Sequence, residues 1–232
     1  MKDSKPIKPF PYTLRVLSAL LRYPDAEFRA AVPELQEALD REGALPLDRV
    51  LELHALLQRL AHDDPFATEA EFVELFDRGR STALHLFEHV HGDSRDRGMA
   101  MVDLTQTYER AGLLLESGEL PDHLPVVLEY ASTQPPQAAR DFLAEIAHVV
   151  RAIFSGLRRR HSAYASVLAA VLELAGEPAE AVDIPPEPAL DDSWAEPEVF
   201  AGCTSPGQSR PGEAQPVHIV RKQPSTAPGA PA

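Results

Sequence analysis

Two stretches, Asp93-Ser-Arg-Asp-Arg-Gly-Met-Ala-Met-Val-Asp-Leu104 and Pro121-Asp122-His123-Leu124-Pro125, carry more than helix formation requires. In the first, Ser94 opens a long helix whose Met101, Leu104, Tyr108 and Ala111 share one side, and Gly112 ends it. In the second, the Asp122 carboxylate can cap the following helix, while Pro125 falls in the first turn, where its missing N–H costs nothing. Helix, glycine break and second helix are thus specified locally.

The same alternation extends outward in both directions. Leu14, Leu17, Leu20 and Leu21 form an apolar stripe closed by Pro24, and Asp25 caps the next helix. Val32-Pro33 falls inside that second pattern and predicts a kink or two short helices, with Pro33 in the first turn of the latter. After Gly43 and Pro46, the residues Leu47, Val50, Leu51, His54, Leu57 and Leu60 predict an amphipathic core helix. Phe72, Leu75 and Phe76 make the next face, and Ser81 is a cap for a helix bearing Leu84, Phe87 and Val90. Beyond the Asp122 turn, Pro135-Pro136 begins a long apolar pattern through Leu157, and Ser162 restarts it as a last helix with Tyr164, Val167, Leu168 and Val171. No fixed-period repeat interrupts this order.

Composition agrees with an all-α fold. The 232 residues are 44% hydrophobic but only 6% aromatic, with Leu, Ala and Glu prevailing over the β-branched mixture of sheets. That length supports one main core. The formal net charge of -14 repels phosphate backbones and anionic headgroups, which argues against nucleic acid and favours a basic peptide or patch as partner. The lone Cys203 excludes an intramolecular disulfide framework and a Cys-based zinc site. There is no signal-peptide pattern and no apolar run of the ~18 residues that a spanning helix needs, so the expectation is a cytoplasmic chain without direct membrane insertion.

After Gly176 the composition changes. Eleven of the 22 prolines lie beyond it, and nine acidic residues against Arg210, Arg221 and Lys222 give that stretch a net charge of -6. The expected organisation is a single helical domain over residues 10–176 and a disordered, acidic, Pro-rich tail over residues 177–232.

Glu69, Phe72, Leu75 and Phe76 fit an E-x-x-[YF]-x-x-L-F arrangement, and the run from Thr82 to Gly98, Thr-Ala-Leu-His-Leu-Phe-Glu-His-Val-His-Gly-Asp-Ser-Arg-Asp-Arg-Gly, follows it. With Pro121-Asp122-His123-Leu124 and Leu128-Glu129-Tyr130, this set resembles the NarJ branch of the TorD/DmsD/NarJ redox-enzyme maturation chaperones. The likeness covers roughly Phe10 to Gly176, and the tail segment Leu190 to Phe200, around Trp194, also looks like one found near the end of NarJ-type chains.

The resemblance implies a single-domain, all-helical bundle of the TorD/NarJ-like type that binds and does not catalyse. It implies a chaperone of nitrate reductase assembly and nitrate assimilation, with unfolded-protein binding as its activity and no cofactor of its own. The implied partner is the N-terminal segment of the respiratory nitrate reductase catalytic (alpha) subunit, held open for molybdenum cofactor insertion and kept from early docking to the membrane subunit. Cofactor delivery proteins are a further implied partner, and the chain is implied to be a monomer or a weak homodimer. The resemblance associates its Pro-Asp-His-Leu loop with leader-peptide recognition or with its conformational hinge.

The candidate peptide-binding residues are Phe76, Arg95, Asp96, Arg97, Tyr108, Asp122, His123, Glu129 and Tyr130. His123, Val126 and Tyr130 share one helical face, with Asp122 and Glu129 on an adjacent stripe, an aromatic surface flanked by carboxylates that suits a basic amphipathic peptide. The plain alternative stays open here: Asp122 only caps, Tyr130 only packs and Glu129 is only solvated. Arg95, Asp96 and Arg97 equally fit an exposed first turn with local ion pairs.

Two enzyme readings are weaker. His85, Glu88, His89 and His91 come from one helix end, short of the oriented ligands and second-shell partners a zinc site needs, so no metal is expected. His62-Asp63 could mark a helical metallohydrolase, but no further His and Asp set accompanies it. No G-x-S-x-G, phosphate-binding loop or C-x-x-C occurs. A chaperone for another molybdoenzyme, of the dimethyl-sulfoxide or selenate reductase type, shares the same expected fold.

Overall fold

Pro11 begins α1 (Pro11–Leu20), and the stripe expected there is the buried one: Leu14, Leu17, Leu20 and Leu21 are each exposed by 1% or less. The computed structural model describes residues 7–90 and 96–183. Within these residues the chain is all-α, with helices α2 (Ala26–Glu42), α3 (Leu47–His62), α4 (Pro65–Phe72), α5 (Leu86–Val90), α6 (Asp96–Arg110), α7 (Leu124–Ser132), α8 (Pro136–Arg159) and α9 (Ala165–Ala175). A π-helical turn at Val73–Asp77 and a 3-10 turn at Arg80–Thr82 join α4 to α5.

The Asp25 carboxylate accepts from the Phe28 N–H at 2.8 Å and starts α2 as expected, and Gly43 ends it at φ +55. Pro33 does not split this helix. It lies inside one continuous α2 with its ring on the exposed side, and the loss of one backbone hydrogen bond is offset by burial of Phe28, Val32 and Leu39.

In α3 the register differs from the expected one. Leu53, Leu56, Leu57 and Leu60 are buried, whereas Leu47 and Leu51 are 73% and 59% exposed. Apolar residues cover more than one stripe of this helix, and packing against α2 and α9 selects among them. Downstream, the helix expected after Ser81 begins only at Leu86, because Arg80–Thr82 forms a tighter turn first.

The core is built around α9, where every residue except Glu173 is buried. A helix apolar on all sides belongs inside. α8 runs along it, with Leu143, Val150, Ile153 and Leu157 fully buried, and α1, α3 and α7 close the remaining sides. Gly156 lets α8 approach the Arg80–Thr82 turn closely. By contrast α6 buries Tyr108, while Met101 and Leu104 are half-buried and Ala111 is exposed.

The described chain runs on past Gly176 and stays on α8: Glu177 pairs with Arg151 at 2.8 Å, and the Val182 N–H donates to Ser155 Oγ at 2.9 Å. Residues 184–232, with Trp194 and Cys203, lie outside the described residues, as do Ser94 and Arg95. Among the described residues, no helix is long and apolar enough to cross a membrane.

Candidate peptide-binding groove

The Pro121-Asp122-His123 turn sits across the start of α5, not only before α7. His85 and His123 face each other in one antiparallel bridge, in which the Leu124 N–H donates to Leu84 O at 2.9 Å and the Leu86 N–H to Asp122 O at 3.0 Å. Asp122 is fully buried. Its Oδ2 accepts from the Phe87 N–H at 3.1 Å and its Oδ1 lies 3.4 Å from His85 Nδ1. The carboxylate thus caps α5, and the residue preceding α7 is His123, whose side chain makes no capping bond. This corrects two expectations for Asp122, that it caps α7 and that it offers surface charge.

The local electrostatics follow from burial and these bonds. Burial pushes the Asp122 carboxyl up, but the hydrogen bonds from His85 and Phe87 and the His85 charge outweigh it, so it ionises below its ordinary range. His85 is raised, chiefly by its hydrogen bond to Asp122, against burial. His123 stacks on His85 with centroids 5.0 Å apart, and burial, then the charges of His85 and Arg22, push it down to about 4.

Beside this turn runs a groove of about 510 Å3 between α1, the end of α6, the loop after it and α7. Tyr108, Val126 and Tyr130 supply its aromatic and aliphatic floor, and Leu114, 87% exposed, forms a lip. The Tyr108 hydroxyl donates to Pro121 O at 2.8 Å, which ties α6 to the turn, and its ring lies 4.7 Å from that of Tyr130. Tyr130 is backed in turn by Phe142 at 5.0 Å. Carboxylates Glu116, Glu119 and Glu129 stand on the wall with Arg15 and Arg22. Arg22 Nη2 lies 3.0 Å from Glu129 and 3.7 Å from Glu119, and Ser18 Oγ donates to Glu129 at 3.3 Å.

The candidate residues therefore separate. Tyr108, Glu129 and Tyr130 line the groove, whereas Phe76 and His123 line a neighbouring cavity of about 430 Å3. Phe76 is buried, with its ring 4.8 Å from Phe72 and 5.1 Å from Tyr164. Asp96 is exposed at the start of α6, and Arg97 pairs with Glu88 at 3.4 Å; neither lines the groove or this cavity. Arg95 lies outside the described residues.

Of the histidines singled out in sequence, His91 lies outside the described residues and the others have partners of their own. His89 Nε2 is 2.9 Å from Ala83 O and His62 Nδ1 is 2.9 Å from Gln58 O, each at the backbone carbonyl of a residue a few positions earlier. Sequence reasoning missed Arg22, Glu119 and the Leu113-Leu114-Leu115 loop. Three consecutive leucines after a helix-ending Gly112 were the available signal, since a loop has no core to bury them in.

Residues 22–170 match the family model for the nitrate reductase delta subunit. The chain is 43% identical over 205 residues to the nitrate reductase molybdenum cofactor assembly chaperone NarJ of Escherichia coli K12, covering 82% of this chain and 86% of that one. It is 34% identical over 160 residues to a probable chaperone of the same name from Bacillus subtilis, covering 69% and 86%. A crystal structure from Archaeoglobus fulgidus, described as a redox enzyme maturation protein, superposes with a TM-score of 0.52 at 20% identity over 76% of this chain and all of that one, a likeness of fold. By sequence, this chain belongs to the nitrate reductase delta subunit family, alongside the NarJ assembly chaperones.

Proposed function

We propose that the chain is the dedicated assembly chaperone of a respiratory nitrate reductase, binding the N-terminal segment of the catalytic subunit in the groove while the molybdenum cofactor is inserted. It works in the cytoplasm, performs no reaction, and by holding this segment delays docking to the membrane subunit. The relatives' roles support the client, and the groove supports the mode of binding. The observation that carries it is the Tyr108–Tyr130 floor, apolar and open on one side, rimmed by carboxylates.

An amphipathic client helix would lay its apolar face on this floor. Each large apolar anchor buried there is worth roughly 1.5–3 kcal/mol, against less than about 1 kcal/mol for an exposed ion pair, so burial sets affinity and the rim sets approach. Calorimetry with a synthetic peptide copying the client N-terminus tests this. Tyr130→Ala is expected to weaken binding by about tenfold or more, the equivalent of losing one such anchor, and Lys222→Ala to leave it unchanged. Equal affinities for the two variants remove the groove assignment.

A further inference from the structure

The groove and the cavity beside it share two lining residues, Arg22 and Glu119. Arg22 follows the end of α1, with its backbone N–H on Ala19 O, and its 42% exposed side chain reaches across to Glu129 and Glu119. Nothing helical holds that side chain; two carboxylates do. Glu119 Oε2 is buried yet accepts no hydrogen bond, so the bridge leaves one acceptor unused.

We propose that Arg22 is a specificity gate, dividing the binding surface in the free chain and occupying the place that a cationic side chain of the client takes on binding. The inference rests on the groove being the client site. Swinging Arg22 outward joins the two compartments, so one segment can run from Tyr130 to Phe76 and His123, residues that the closed arrangement keeps apart. The incoming cation takes over Glu129 and Glu119 and can donate to the unused Oε2. A segment without a cation leaves Arg22 in place and is confined to one compartment. The chain's net charge of -14 favours the cationic occupant. The gate opens cheaply, because exposed ion pairs are weak and the displaced guanidinium regains water.

The test uses the full chain and two synthetic peptides, one copying the N-terminus of the nitrate reductase catalytic subunit and a twin with each Lys and Arg replaced by Gln. Removing the internal competitor with Arg22→Gln is expected to tighten binding of the basic peptide by about two- to fivefold, the range open to an exposed pair. The neutral twin also gains access to the second compartment but has no cation to place on the freed carboxylates, so it should tighten by clearly less. Arg22→Lys, which keeps the cation, should behave as the parent, and Glu129→Gln should weaken the basic peptide alone. The gate is overturned if Arg22→Gln weakens both peptides, or shifts both alike, since Arg22 is then wall and not competitor. If the parent binds neither peptide, the groove reading itself falls; if it binds both but ignores Arg22→Gln, only the gate does.

Discussion

Asp122 shows how a residue can be legible in kind and hidden in role. The Pro-Asp-His turn marks it as a capping carboxylate, but the N–H it caps belongs to Phe87, 35 positions earlier, and no local pattern encodes that partner. His123 next to it is held neutral by burial, among His85, Asp122, Arg22, Glu119, Asp25 and Asp77. Its folded pKa of about 4 lies below the ordinary 6.5, so between these values the unfolded chain binds the extra proton and stability falls as the pH falls. His85 works in the other direction: its raised pKa adds stability as it protonates, which is lost as pH rises through that value. Replacing His123 by Gln isolates the first effect. Thermal melts of parent and variant at pH 7 and pH 5 should show the parent losing about 1–2 kcal/mol more over this interval, a difference of several degrees. Parallel pH profiles would mean that His123 titrates normally in the folded chain.

Some element boundaries set by caps and prolines read directly from sequence, as did the buried stripe of α1, whereas Pro33, Ser81 and Asp122 act otherwise than expected and the face of α3 differs. Asp25, Gly43, Pro125 and Pro136 act where they were expected, because each acts on its own turn. The face of α3 depends on where α2 and α9 lie, and the π-helical turn at Val73–Asp77 depends on packing Phe72 and Phe76 against Tyr164; neither is a local property. The same holds where α8 meets the Arg80–Thr82 turn. A Cβ on Gly156 would stand 2.9 Å from Ser81 O and 3.0 Å from Thr82 Cγ2, so the turn would have to shift. Gly156→Ala gains up to about 1 kcal/mol of helix propensity but forces backbone apart at a cost of typically 1–3 kcal/mol. The expected outcome is net destabilisation by about 1–2 kcal/mol in urea unfolding, with the change in midpoint and not in slope. A stabilised variant would mean that the turn yields freely.

For the molecule as a whole, the all-α class followed from composition and spacing, whereas the last helix was read only by Tyr164, Val167, Leu168 and Val171, and its central place emerges from the structure. The binding surface was less legible, because its floor joins Tyr108 and Tyr130 across a loop and its wall carries Arg22 from near the start of the chain. Charge acts at this scale too. Of the net -14, a share of -6 lies beyond Gly176, so the field that draws in a basic segment is a property of the entire chain. If burial on the Tyr108–Tyr130 floor holds the client and the carboxylates only guide it, salt must act on arrival and not on departure. Exposed charges are screened beyond about 8 Å at physiological ionic strength, while apolar contact is not weakened by salt. Stopped-flow measurements with the basic client peptide, from about 0.02 to 0.5 M salt, should therefore show the association rate falling several-fold and the dissociation rate changing by less than about twofold. A dissociation rate that climbs with salt at constant association rate would place the affinity in the ion pairs at Glu119 and Glu129, and the apolar floor would then be incidental.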